Sequence, residues 1–125
     1  MAPLDGVTQV VGDITTRETA QAVEQAFYDA QRSPYTRVAD LIVCDGAPDV
    51  TGLQMIDEFL HSQLLAAAVT MVSRMLRRDG TFVAKVFAEP GSSSTNMLMA
   101  QLRRLFLRVE LAKPRSSRAS SAEHF

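Results

Sequence analysis

Hydrophobic and polar positions change period several times along the chain, and each change marks an element. Residues 7–11 read as a short apolar strand that ends at Gly12 and Asp13. Thr15 with Glu18 three residues on predicts a capping box with Thr15 at the N-cap. Ala20, Val23, Ala26 and Phe27 follow at helical spacing, and this helix is expected to stop before Ser33 and Pro34. Residues 39–44 form an apolar run broken only by Asp40, as in a strand buried on both faces of a parallel sheet. A loop over residues 45–52 leads into a long helix. Its apolar stripe is Ile56, Phe59, Leu60, Leu64, Ala67, Met71, Met75 and Leu76, with Gly80 as the C-terminal stop. Residues 81–87 read as a second buried strand and the Pro-Gly-Ser segment after it as a loop. A helix over 97–106, with Leu98, Leu102 and Leu105 inward, precedes a last strand at 107–111 and a polar tail. This alternation indicates an α/β fold with a mainly parallel sheet, in a single domain over residues 1–125.

Composition narrows the setting. With 125 residues, 46% of them hydrophobic, the chain can form one domain with a core. The single cysteine, Cys44, has no partner for a disulfide, which suits a reducing, cytoplasmic location. No apolar run approaches the ~18 residues of a membrane span. The first ten residues lack the basic and apolar regions of a signal peptide. Net charge is −1, but residues 1–62 hold ten acids and three bases, whereas residues 63–125 hold four acids and ten bases. The second half therefore suits a polyanionic partner. Arg74, Arg77, Arg78, Arg103 and Arg104 have a second reading, as cations near helix C-termini that complement the helix dipole.

Candidate chemistry lies where strands end. LIVCDGAPD (41–49), FVAKVF (82–87) and AKPRSSRASSAEHF (112–125) each place one ionisable group at a strand-to-loop junction: Asp45, Lys85 and Glu123. In open α/β sheets ligands sit beyond the carboxyl ends of the strands. Two acids and an amine converging there suit proton transfer. Each also has a plainer reading: Asp45 as a cap, Lys85 as a strand-end lysine reaching solvent, Glu123 as part of a loose terminus. Asp49 reads as a turn residue. His61 and His124 do not suggest metal ligands. Lys113, Arg115 and Arg118 read as a phosphate-contacting loop or as a solvated tail.

Four segments in one order, residues 1–15, 39–53, 82–87 and 112–125, resemble the FtsJ-type ribose 2′-O-methyltransferases, particularly the branch that modifies tRNA. The resemblance implies a partial Rossmann-like, S-adenosylmethionine-dependent methyltransferase fold whose N-terminal strands and glycine-rich cofactor turn are missing. It assigns three members of a Lys-Asp-Lys-Glu tetrad to Asp45, Lys85 and Glu123, with the first lysine expected upstream of Met1. It gives Asp13 the adenine amino group, Ile14 the base, and Asp45, Gly46, Ala47 and Pro48 the methionine side of the cofactor. It further implies tRNA as partner, its anticodon loop as target, an auxiliary protein subunit, and no metal.

The chemistry accounts for these residue types. A ribose 2′-hydroxyl is a poor nucleophile until a base takes its proton, and a neutral amine in a dry site can do so. The apolar strand around Lys85 favours the neutral amine, while the two carboxylates favour the ammonium or orient it; sequence leaves both open. Two rivals remain. A phosphoacceptor receiver domain would use Asp45 and Lys85, but residues 12–14 offer one acid where it needs a pair, and Val86 stands where proline usually follows the lysine. A non-catalytic remnant that binds RNA or protein would explain the absent glycine-rich turn. The fragment is expected to bind cofactor weakly and to self-associate, because strands without neighbours leave apolar surface and backbone groups exposed.

Overall fold

Helix α1 (Arg17–Gln31) opens one residue later than the capping box predicts, in a computed structural model that describes residues 4–31, 39–47, 53–87, 90–118 and 121–125. Thr16 Oγ1 accepts from the Thr19 amide at 3.3 Å, so Thr16 is the N-cap. Thr15 instead donates from its amide and its hydroxyl to Asp13 Oδ1, at 2.8 and 2.7 Å. The expected stop at Ser33 and Pro34, and loop residues 48–52, lie outside the described residues.

The chain divides into two units, Met1–Val83 and Ala84–Phe125. In the first, strand β1 (Ala39–Cys44), helix α2 (Gln54–Met75) and strand β2 (Leu76–Ala84) follow in order, and β1 and β2 form a parallel two-stranded sheet. A helix joining two parallel neighbours is the basic α/β unit. An ion pair between Arg77 Nε and Asp40 Oδ1 ties the two strands at 2.5 Å. The core gathers Ala20, Ala39, Leu65, Ala68, Val72, Met75 and Leu76. The buried stripe of α2 is therefore 65/68/72/75, shifted from the predicted one, and Ile56 and Phe59 are exposed. Residues 64–72 are apolar nearly all round the helix, so periodicity does not single out one face.

Two sequence signals act elsewhere than expected. Helix α2 ends at Met75, and Leu76 is already extended, at φ −70° and ψ 127°. Gly80 is thus no helix stop. Asp79 takes the left-handed turn at φ 62°, and Gly80 lies so close to Leu76 that a Cβ would stand 2.7 Å from its Cδ1. Residues 7–11 are not a strand. Val11 is 100% exposed, and among the described residues no strand pairs with this segment.

In the second unit, strand β3 (Val86–Phe87) pairs antiparallel with strand β4 (Glu123–His124), Val86 opposite His124 and Phe87 opposite Glu123. Phe125 and Ala112 exchange two backbone hydrogen bonds of 2.7 and 2.8 Å. The strand predicted over 81–87 is broken at Lys85, and 107–111 forms no strand. Arg108 instead turns back to Glu110, and Leu107 is fully exposed. Helix α3 (Ser93–Leu102) begins within the serine run, earlier than predicted, and ends before residue 106. Gly91, at φ 86°, makes the turn, and Ser92 Oγ caps the Thr95 amide at 3.3 Å. The architecture is α/β, as a partial Rossmann-like fold requires.

Candidate functional site

In the first unit three of the six expected cofactor residues, Ile14, Asp45 and Gly46, line one apolar groove of about 400 Å³. Ile14 enters from the turn before α1. Asp45 and Gly46 follow the last residue of β1, and Leu64, Ala68 and Met71 of α2 form a wall. Ala47 follows in the same exposed stretch, and Pro48 lies outside the described residues. Asp13, next to Ile14, is exposed, and its carboxyl is held below the usual carboxylate range. The first cause is the hydrogen bond from the Thr15 hydroxyl, the second that from the Thr15 amide. Apolar walls with the Asp45 carboxylate beside them suit a flat heterocycle.

In the second unit Lys85 sits between β2 and β3, half-buried. Glu123 is placed by β4; its Oε2 accepts from Ser121 Oγ at 3.3 Å, and its amide donates to the same hydroxyl at 3.1 Å. Phe87, Ser116, Ser117, Arg118, Ser121 and Glu123 line a pocket of about 470 Å³. The three expected phosphate contacts differ. Lys113 Nζ donates to the Ser121 carbonyl at 2.6 Å and so anchors the tail. Arg115 is exposed, and Arg118 faces the pocket.

The three residues expected to be catalytic fall in different units: Asp45 in the first, Lys85 and Glu123 in the second. Within the first unit Ile14, Asp45 and Gly46 share a groove; within the second Arg118 and Glu123 share a pocket. Three arginines of the basic half are paired with acids: Arg74 with Glu24, Arg77 with Asp40 and Arg108 with Glu110. Sequence reasoning missed Phe87, Ser116, Ser117 and Ser121 as pocket residues. Only Phe87 carried a signal, its place two residues beyond Lys85. Among the described residues no cluster of three or more His, Cys, Asp or Glu could hold a metal. None of their helices is long and apolar enough to cross a membrane.

Comparison with known proteins places this geometry in a family. The FtsJ-like methyltransferase family matches residues 1–125. The human "tRNA (cytidine(32)/guanosine(34)-2′-O)-methyltransferase" is 47% identical over the whole chain, which covers 35% of that protein. A Caenorhabditis elegans protein named "Putative tRNA (cytidine(32)/guanosine(34)-2′-O)-methyltransferase" is 45% identical, with 34% of it covered. The "Ribosomal RNA large subunit methyltransferase E" of Verminephrobacter eiseniae is 36% identical, with 48% covered. The chain spans about a third of the length of these tRNA-directed relatives. With every residue matched and strand-end residues at both units, the chain belongs to the FtsJ-like methyltransferase family.

Proposed function

We propose that this chain carries the reacting residues of an enzyme that methylates a ribose 2′-hydroxyl of RNA, with the tRNA anticodon loop as target. The observation that carries the reading is the family match over residues 1–125, a span that includes Asp45, Lys85 and Glu123. Asp45 directly follows β1 and Lys85 directly follows β2, where α/β folds gather their ligands. The names of the human and worm relatives supply the nucleic acid and the position class. A separate auxiliary subunit and a cytoplasmic setting belong to the same reading.

S-adenosylmethionine, when bound, supplies a methyl group on a sulfonium, ready for in-line attack. Asp13 and Ile14 would hold its adenine end, and Asp45, Gly46, Ala47 and Pro48 its methionine side. Lys85 Nζ would take the proton of the 2′-hydroxyl while the ribose oxygen gains the methyl group and the cofactor would leave as a neutral thioether. Asp45 and Glu123 are the carboxylates that this reading assigns to the same reaction. Positioning hydroxyl and methyl together supplies much of the rate. General-base catalysis adds a factor of about 10²–10⁴.

The test is transfer of a labelled methyl group to tRNA by the intact protein. Lys85→Met is expected to lower kcat by about 10²–10⁴-fold with cofactor affinity unchanged. The label is expected on the ribose, where it protects the neighbouring phosphodiester from alkali. Label on a base, or an undiminished kcat in the variant, overturns the reading.

A further inference from the structure

The pocket of the second unit combines groups that one ligand chemistry satisfies. Phe87 is 50% exposed and lines the pocket with its aromatic side chain. Ser117 Oγ is buried without a hydrogen-bond partner, a state that buried hydroxyls seldom keep. The exposed Arg118 guanidinium has no partner among the described residues and presents a fork of donors suited to phosphate. Glu123 adds an acceptor that suits a sugar hydroxyl and disfavours a second anion beside it. An aromatic ring, a hydroxyl donor and one phosphate are the parts of a nucleotide.

We propose that this pocket holds one unpaired nucleotide of the RNA strand, its base stacked on Phe87 and its phosphate held by Arg118 and Ser117. The proposal deepens the RNA-methylation reading and rests on it. Phe87 lies two residues beyond Lys85, about 7 Å along extended backbone. The stacked base therefore belongs to the methylated nucleotide or to its neighbour. Phe87 acts as a positioning residue, since stacking fixes the strand and does not touch the transferred methyl. Stacking on an aromatic side chain tolerates any base, so this pocket orders the strand without reading its sequence.

Equilibrium binding of an anticodon stem–loop RNA to the intact protein tests this, with an abasic nucleotide placed at each loop position in turn. One abasic position is expected to weaken binding by the wild-type protein about tenfold, as loss of a stacked base does. Phe87→Leu is expected to weaken binding of the unmodified RNA to the same extent and to make that abasic substitution silent. Phe87→Tyr keeps the ring and restores the sensitivity. Arg118→Gln weakens binding of all these RNAs and lowers the salt slope by about one unit. The proposal is overturned if no loop position is sensitive in the wild-type protein, or if the losses from Phe87→Leu and the abasic site multiply. Absence of any salt-dependent binding by the wild-type protein overturns the RNA reading as well; a normal salt slope without a sensitive position overturns the stacking pocket alone.

Discussion

Strand β1 and residues 7–11 belong to the same unit and are both short apolar stretches, yet only β1 joins a ladder. β1 has β2 beside it, Arg77 clasping its Asp40, and Ala39 buried in the core. Residues 7–11 have none of these supports among the described residues, and Val11 is wholly exposed. The difference lies in partners and not in propensity. Backbone donors and acceptors must be paired or hydrated, and an apolar run without a neighbouring strand is left to water. Residues 107–111 and β4 repeat the contrast in the second unit. The more apolar 107–111 stays irregular, while the two-residue β4 forms because Val86 and Phe87 lie opposite it.

The largest effect expected from this contrast is on association. β1 has one strand neighbour among the described residues, and its Leu41 and Val43 are 53% and 59% exposed. Open edges with exposed apolar side chains recruit other chains. The 125-residue chain is expected to self-associate in sedimentation velocity, and Leu41→Lys with Val43→Lys to shift it towards monomer. A monodisperse monomer of the unsubstituted chain would break the comparison.

Next in size is the core beneath β1. Leu65→Ala removes a buried side chain of α2 and is expected to cost about 2–5 kcal/mol in urea unfolding. Val11→Ala is expected to stay within about 0.5 kcal/mol, since nothing packs on that residue. Equal costs would show that residues 7–11 are held after all.

At the start of β2 the contrast sharpens to one pair of residues. Gly80→Ala puts a methyl group against Leu76 and is expected to destabilise by about 1–3 kcal/mol. Asp79→Gly relieves a left-handed backbone and is expected to be neutral or mildly stabilising by thermal unfolding. The reverse order would contradict the placement of this turn.

Smallest is a pH effect at Asp13. Its carboxyl is lowered in the folded state by the Thr15 hydroxyl and amide, so its contribution is present above the unfolded value of about 3.9. That contribution is lost as pH falls through the lower folded value. Unfolding of Asp13→Asn is expected to lack this acid-side component. An identical acid limb in the two proteins would show that the Asp13–Thr15 turn does not form in solution.

Much of this molecule was legible because its signals are local. The periodicity of α1, the apolar run of β1 and the length of α2 are properties of neighbouring residues. The start of α3 was hidden among successive hydroxyl residues. Only Ser92 follows the left-handed Gly91, so only Ser92 caps. β4 was hidden because a two-residue strand is defined by its distant partner and not by its own pattern. The positions of Asp45 and Lys85 directly after β1 and β2 were legible from the strand pattern. The pocket around Ser117 could not, since Phe87 and the serine tail meet only through the β3–β4 pairing.

The central proposal is that Asp45 and Lys85 both serve one step, methyl transfer to a ribose hydroxyl. A double-mutant cycle on kcat for methyl transfer, using Asp45→Asn, Lys85→Met and the pair, tests it most directly. The expected result is strong non-additivity, the double variant being scarcely slower than Lys85→Met alone, because residues acting as one device cannot each be lost twice. Losses that multiply across the pair would contradict it and assign the two residues to separate tasks.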